Sequence, residues 1–280
     1  MNLQEGERLG ILAGEGDLPL LVAQNARARG LEPVTVTFSA RTAEALRPLS
    51  SSLLRCGVGQ TGKIIRFLRE EGVCAVVFVG KLEKRMMYRN PILDLRAVRV
   101  LRRIKDRRDD SLMLAIIEEI ESEGFPVLPQ AEFLGDLFPK VGVLSKRAPT
   151  KREREDLEFG FTMAKGVAAL DLGQTVVVRN KAVVAVESIE GTDEAIRRGC
   201  AIAGRGTVAV KVAKPRQDPR FDVPVVGEGT LRALAEGGGT ALGIEAERTM
   251  IVGHPAFLEA ARKWKIAVVS MEQGEGEASH

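Results

Sequence analysis

The sequence contains few residues of the kinds that form disulfides or bind zinc. Its 280 residues include three cysteines, Cys56, Cys74 and Cys200, with no CxxC spacing, and two histidines, His254 and His280. A disulfide framework uses an even set of cysteines, and a zinc site needs clustered thiols and imidazoles. We therefore expect a protein of a reducing compartment that has no zinc site.

Long apolar runs are also missing. The longest one, residues 73–79, is far short of the roughly 20 residues that a helix needs to cross a bilayer. Residues 1–10 mix Glu and Arg with few apolar groups, which is unlike a secretory signal. These features predict a cytoplasmic location.

A strong excess of one charge is absent as well. Lys and Arg number 41 against 38 Asp and Glu, which leaves a formal net charge of +3. This excludes a globally basic nucleic-acid binder, so any anion binding must be local. An apolar content of 45% is enough for a large core, and 280 residues favour two domains at roughly 100 to 200 residues each.

The periodicity predicts two α/β domains. In the first half, strand and helix patterns alternate, which is typical of a parallel sheet and indicates an N-terminal Rossmann-like domain over residues 1–138. Residues 139–150 contain two prolines and lose the pattern, so they are assigned as a linker. Residues 151–280 are assigned to a C-terminal α/β domain with a mixed sheet. Its first helix is predicted to begin with a capping box at Thr150 and Glu153.

The first predicted strand ends in a glycine-rich turn at residues 14–19, with the sequence GEGDLP. Such a turn before a helix presents backbone amides to a phosphate. Two features oppose dinucleotide binding: Pro19 occupies the place of the third glycine of GxGxxG, and no acid follows the second strand. A plain tight turn is the structural alternative.

A basic stretch at residues 81–108 holds eleven Lys and Arg residues against three acids. A basic amphipathic helix can meet anionic lipid headgroups, an acidic partner or nucleic acid. A solvated charged face is the structural alternative. Tyr88 is the one aromatic residue in this stretch, which gives little support to base stacking.

The densest candidate for chemistry is a proline-rich loop at residues 211–224. Its prolines disfavour regular structure, so we expect a surface loop in which cations and carboxylates alternate. The cations of this loop suit a diphosphate: Lys211, Lys214, Arg216 and Arg220. Asp218 and Asp222 are candidate metal ligands or water-orienting groups. A salt-bridged loop is the structural alternative.

Four segments occur in a distinctive order: residues 9–19 (LGILAGEGDLP), 171–178 (DLGQTVVV), 187–193 (ESIEGTD) and the proline-rich loop continued to residue 227. Together they resemble the LpxI family of UDP-2,3-diacylglucosamine pyrophosphatases. The resemblance implies an enzyme of lipid A biosynthesis that uses Mg²⁺ to hydrolyse UDP-2,3-diacylglucosamine to lipid X and UMP. It also implies that the substrate is held between the two domains.

The resemblance places the family's catalytic aspartate at Asp222, which with Asp218 is also assigned as a metal ligand. Glu15 stands where the family often has another glycine. The residues assigned to substrate binding come from the matching motifs and the proline-rich loop: Gly14, Gly16, Asp17, Gln174, Glu190, Gly191, Thr192, Asp193, Lys211, Lys214, Gln217 and Arg220.

Partners and alternatives follow from the same features. We expect a UDP-diacylglucosamine-type glycolipid as substrate, no nucleic-acid partner, a homodimer, and peripheral contact with the inner membrane through the basic stretch. One alternative is a different nucleotide-sugar or dinucleotide-binding enzyme. Another is a non-enzymatic protein that binds anions or a membrane surface through residues 81–108.

Overall fold

The computed structural model describes residues 3–81, 93–103 and 109–272, without the side chains of residues 109 and 110. The chain divides into two compact units. The first contains residues 1–135 together with residues 219–221, and the second contains residues 136–218 and 222–280. The α/β fold class is confirmed, and each unit is described by itself below.

The described part of the first unit has four strands, β1 (Arg8–Ala13), β2 (Glu32–Thr37), β3 (Ser52–Arg55) and β4 (Ala75–Val79). Two short 3₁₀ turns lie at Arg47–Leu49 and, at the junction of the units, Gly135–Leu137. Its helices are α1 (Leu18–Ala28), α2 (Ala40–Leu46), α3 (Thr61–Glu70), α4 (Leu95–Arg103), α5 (Asp109–Ser122) and α6 (Ala131–Leu134).

The four strands form one parallel sheet in the order β3-β2-β1-β4. Both faces are covered, so β1 and β4 are buried along nearly their whole length, as central parallel strands are. Residue 127 adds a single parallel bridge to β4. Helices α2 and α6 were not predicted. Ser39 caps α2 by accepting a hydrogen bond from the Thr42 amide.

A short piece of the proline-rich loop belongs to the first unit. Phe221 is 5% exposed and packs in the apolar core that β1, β2, α3 and α5 share. The neighbouring Pro219 accepts a hydrogen bond from the Gln130 amide, and Arg220 pairs with Glu121 at 3.0 Å. The predicted surface loop therefore carries a buried aromatic anchor.

The second unit has eight strands among its described residues: β5 (Gly142–Val143), β6 (Thr175–Arg179), β7 (Ala182–Val186), β8 (Val208–Lys211), β9 (Val225–Val226), β10 (Ala241–Glu245), β11 (Met250–Ile251) and β12 (Ala267–Met271). Its helices are α7 (Lys151–Ala169), α8 (Thr192–Ala203), α9 (Glu228–Gly237) and α10 (His254–Trp264).

Six of these strands form a mixed sheet in the order β5-β12-β10-β8-β6-β7. Strands β8, β10 and β12 are parallel, whereas β5, β6 and β7 join by antiparallel pairing. Helix α7 covers one face, and α8, α9 and α10 cover the other. The predicted capping box is confirmed, because Thr150 and Glu153 bond reciprocally at the start of α7. The carboxyl ends of β8 and β10 meet at one edge, which is where open α/β sheets bind ligands.

Candidate functional site

The glycine-rich turn of the first unit is tied to the loop after β4. The Gly14 amide donates to Val79 O, and the Glu15 amide donates to Lys81 O, both at 2.8 Å. A Cβ on Gly14 would lie 2.7 Å from Lys81 O, so glycine is needed there for backbone packing. These first two amides are thus occupied and do not face an anion.

Gly16 and Asp17 occupy the part of the turn that leads into α1. Gly16 has φ +100° and open space at its Cβ position, and Asp17 is the N-cap residue, although its side chain makes no capping bond. The first amides of a helix lack intrahelical acceptors. The candidate contacts for an anion in this turn are therefore the backbone amides of residues 16 and 17 and of the start of α1.

The second unit contains a polar cluster around Lys211, the last residue of β8. Lys211 lies on a central strand and is only 8% exposed. Its Nζ donates to Thr192 Oγ1 at 2.6 Å, and Thr192 Oγ1 donates to Glu187 Oε1 at 2.8 Å. Three polar side chains are thus joined by hydrogen bonds: Lys211 at the end of β8, Thr192 at the start of α8 and Glu187 directly after β7.

Burial disfavours the charged form of Lys211 and lowers the pKa of its ammonium. The negative charges of Glu187, Asp193 and Asp222 oppose this shift. Asp222, the predicted catalytic aspartate, is therefore within electrostatic range of the buried ammonium. The sequence assigned Lys211 and Asp222 to one loop, and the negative charge of Asp222 favours the charged form of Lys211.

Glu187 is held at the end of β7 by its backbone. Its amide donates to Thr175 O at 2.8 Å, and its side-chain Oε2 is buried with no hydrogen-bond partner among the described residues. Gly173 lies against it, so that an added Cβ would be 2.1 Å from Glu187 O. Sequence reasoning noted the motif that contains Glu187 but did not assign Glu187 to the site.

Asp193 connects the start of α8 with the start of α9. Thr230 Oγ1 donates to Asp193 Oδ1 at 3.3 Å, and a Cβ on Gly229 would lie 3.3 Å from Asp193 Oδ2. Two helix N-termini, which carry positive potential, therefore flank this carboxylate. Gly191, with φ +85°, is the N-cap of α8 and puts Thr192 at the first helical position.

A second network fixes the residues that follow β8. Lys165 Nζ donates to Ala213 O and to Glu245 Oε1, both at 3.0 Å, and Glu245 Oε2 accepts from the Ala213 amide at 2.7 Å. Arg248 donates to Lys214 O at 2.9 Å. The base of the proline-rich loop is thus anchored to α7 and to the end of β10, by residues that sequence reasoning did not single out.

Two glutamines connect this anchored base with Asp222. Gln174 Nε2 donates to Gln217 Oε1 at 2.9 Å, and Gln217 Nε2 donates to Asp222 O at 3.1 Å. Asp222 is exposed and has φ +48°, a backbone conformation that is uncommon outside glycine, asparagine and aspartate. A strained backbone held by side-chain bonds is often found at functional sites.

The structure does not bring every predicted residue to this cluster. Glu190 pairs with Arg198 at 2.5 Å, and this hydrogen bond lowers the pKa of the Glu190 carboxyl. Lys214 pairs with Asp171 at 2.7 Å. Arg220 belongs to the first unit, and Asp218 is half-buried in the loop. Glu190 therefore has a structural partner that its assignment to substrate binding did not anticipate.

The basic stretch is described in part, because residues 82–92 and 104–108 lie outside the described residues. Helix α4 buries Ala97 and Val100, and Arg96 and Arg103 pair with Glu119 of α5 at 3.4 and 3.2 Å. These two arginines are therefore ion-paired with a neighbouring helix, which the solvated-face alternative did not anticipate. No helix in residues 3–81, 93–103 or 109–272 is long and apolar enough to cross a membrane.

Asp222 and Asp218 carry carboxylates of the chemical type that binds magnesium. Within the part of the chain that the structure describes, no group of three or more His, Cys, Asp and Glu side chains is arranged to hold a metal ion. Magnesium commonly takes one or two carboxylates and completes its shell with water and substrate phosphates. The carboxylates of Asp222 and Asp218 supply oxygen donors of this kind.

Fold and site together define a two-unit α/β protein with a buried lysine and several carboxylates at the carboxyl edge of a mixed sheet. Residues 8–137 match the LpxI N-terminal domain, and residues 140–269 match the LpxI C-terminal domain. The chain therefore belongs to the LpxI family, which confirms the resemblance found in its motifs.

A curated relative is the UDP-2,3-diacylglucosamine pyrophosphatase LpxI of Caulobacter vibrioides. It is 30% identical over 279 residues, which cover 96% of this chain and 99% of the relative. A match of this length includes both units and the whole proline-rich loop.

Solved structures show weaker likeness. An enoyl-(acyl-carrier-protein) reductase from Anaplasma phagocytophilum is 18% identical over 43% of this chain and 48% of its own, with a TM-score of 0.28. A biotin carboxylase domain from Hydrogenobacter thermophilus is 12% identical over 84% of this chain and 41% of its own, with a TM-score of 0.30. The chain thus spans under half the length of either structure, and likenesses this weak carry no argument about function.

Proposed function

We propose that this protein hydrolyses the diphosphate of UDP-2,3-diacylglucosamine to 2,3-diacylglucosamine 1-phosphate (lipid X) and UMP. Membership of the LpxI family supports a diphosphate hydrolase of lipid A biosynthesis. The observation that carries the proposal within the chain is the polar cluster at the carboxyl edge of the mixed sheet, where Thr192 holds the buried Lys211 ammonium and Gln217 holds the Asp222 backbone. An ionised carboxylate that feels the charge of a buried cation is suited to orienting a water molecule near a phosphorus atom.

The reaction joins a water oxygen to one phosphorus and breaks the bond from that phosphorus to the bridging oxygen. Asp222 accepts a hydrogen bond from the attacking water and orients it. The positive ends of α8 and α9 and the cations of the loop stabilise the negative charge that grows on the phosphate oxygens. The bridging oxygen leaves with the other phosphoryl group.

Magnesium is part of the proposal. Asp222, with Asp218 as the second candidate, would hold the ion by its carboxylate oxygens, and the substrate phosphates would fill further positions. Bound there, the ion supplies neutralising charge to the diphosphate. Gly16 and Asp17 at the start of α1 are the proposed contacts for an anionic part of the substrate.

The test is a comparison of Asp222→Asn with the wild-type enzyme. Asparagine tolerates the positive φ of this position, and the Asp222 carbonyl that accepts from Gln217 is unchanged, so the fold should persist. We expect kcat to fall by about 100-fold or more, in line with the loss of a general base or water-orienting group. Asp136→Asn, which changes an exposed aspartate, should keep full activity.

Full activity of Asp222→Asn would overturn the assignment of Asp222. Location in the cytoplasm, peripheral membrane contact and a homodimeric state are proposed together with this function, and they are tested separately by fractionation and by light scattering.

A further inference from the structure

We infer that Glu187 and Thr192 are positioning residues that fix the buried Lys211 ammonium in the proposed site. The inference rests on the proposed function, because it assigns residues to the same site. It adds Glu187 to that site, and it gives Thr192 a task other than direct contact with substrate. Its basis is the hydrogen-bonded chain from Glu187 through Thr192 to Lys211.

The direction of each bond in this chain is fixed by chemistry. A lysine ammonium only donates, so Thr192 Oγ1 must act as acceptor in its 2.6 Å contact with Lys211 Nζ. The single hydroxyl proton of Thr192 is then free to be donated to Glu187 Oε1, 2.8 Å away, and an ionised carboxylate only accepts. Each of these hydrogen bonds therefore has one possible donor, and the bonds run in one direction, from Lys211 to Thr192 to Glu187.

A charged Lys211 needs these two hydrogen bonds because of the place where its ammonium lies. Lys211 is buried, and Thr192 begins α8, whose N-terminus has positive potential that disfavours a cation. The Thr192 oxygen offsets both effects by accepting a short hydrogen bond, and Glu187 places negative charge on the far side of that oxygen. Without them, the ammonium would lose its fixed position relative to Asp222.

The backbone supports the chain at both ends. Glu187 is held by its amide bond to Thr175 O and by close contact with Gly173, and Thr175 is the residue paired with Lys211 across strands β6 and β8. Glu187 and Lys211 therefore start from backbone positions that are both paired with Thr175. This is the rigid support that a positioned charge requires.

The experiment compares Thr192→Val with Thr192→Ser. Valine keeps the shape of threonine but removes the hydroxyl, whereas serine keeps the hydroxyl. Since hydrogen bonds to charged groups are the stronger ones, we expect kcat of Thr192→Val on UDP-2,3-diacylglucosamine to fall at least about tenfold. KM should change little, and Thr192→Ser should stay within about threefold of wild type. Thr162→Val, which removes an exposed hydroxyl on α7, is the matched control.

A second readout does not depend on activity. The ¹³Cε resonance of Lys211, assigned by its loss in Lys211→Met, should move in Thr192→Val and in Glu187→Gln but stay near its wild-type position in Thr192→Ser. Equal kcat values and equal Lys211 resonances for the valine and serine variants would overturn the inference. Failure of the wild-type enzyme to hydrolyse the substrate would overturn the proposed function, while the resonance would still decide whether Thr192 fixes Lys211.

Discussion

Gly173 lies so close to Glu187 that a Cβ at position 173 would be 2.1 Å from the Glu187 carbonyl oxygen. A backbone atom cannot move away as the end of a flexible side chain can. Gly173→Ala should therefore displace the end of β7, and Glu187 with it. We expect lower thermal stability and a loss of hydrolysis, measured by a melting curve and by initial rates.

Gly166→Ala is the control for a glycine without such contacts. Gly166 is exposed within α7, and nothing lies within 4 Å of its Cβ position. Alanine in a helix interior is favoured over glycine by about 0.5 to 1 kcal/mol, so this variant should melt at the same or a higher temperature and keep its activity. A Gly173→Ala variant with unchanged stability and rate would contradict the close packing.

Phe221→Ala should destabilise the first unit. Phe221 is 5% exposed within the core, and removing a buried phenylalanine side chain costs about 3 to 5 kcal/mol. Urea unfolding followed by circular dichroism should show an earlier transition, whereas Ile202→Ala, at a position 65% exposed, should leave it nearly unchanged. An unaltered transition in Phe221→Ala would show that the loop anchor is dispensable.

Glu153 should make stability depend on acid pH. Burial raises the pKa of this carboxyl, but hydrogen bonds from Arg147 and Thr150 outweigh it and lower the pKa from 4.5 to about 2. A lowered folded-state pKa stabilises the protein above the unfolded value and loses this contribution as pH falls from about 4.5 toward 2.

Melting curves of Glu153→Gln and wild type over a pH series test this expectation. The wild type should be more stable above about pH 5, and the two should converge near pH 2 to 3 if they remain folded there. Glu158→Gln, an exposed position on the same helix, should match the wild type throughout. A constant difference at every pH would contradict the role of ionised Glu153.

Removal of divalent ions should stop hydrolysis without unfolding the protein. Magnesium commonly binds through one or two carboxylates, waters and substrate phosphates, so the ion is expected to serve the reaction and not to hold the fold. Dialysis against EDTA should abolish turnover, and added Mg²⁺ should restore it, with an unchanged circular dichroism spectrum. A full rate in EDTA would contradict magnesium dependence.

Much of the fold follows from local sequence signals. The alternation of strands and helices in the first half, and the capping box at Thr150 and Glu153, depend on signals that act over a few residues, and both were predicted correctly. Helix α2 was missed, since its seven residues are too few to show a clear period. The order of strands in the second sheet depends on long-range pairing, for which the chain carries no local signal.

In the candidate site, too, several residues could be predicted from local sequence signals, whereas their long-range contacts could not. Lys211, Thr192 and Asp222 were selected from motifs, but the bonds that join Lys211 to Thr192 and Thr192 to Glu187 link residues brought together by the sheet. Phe221 was placed in a surface loop because its neighbours are charged and proline-rich, and the fold buries it. Lys165 and Glu245 are 80 positions apart in sequence, and no pattern in either segment predicts their contact.

The most direct test of the proposed activity is product analysis with purified protein, UDP-2,3-diacylglucosamine and Mg²⁺. Mass spectrometry of the wild-type reaction should show equimolar UMP and 2,3-diacylglucosamine 1-phosphate, and Asp222→Asn should yield almost none of either. Unconverted substrate in the wild-type reaction, or equal product from both proteins, would contradict the assignment of the Lys211 and Asp222 site to diphosphate hydrolysis.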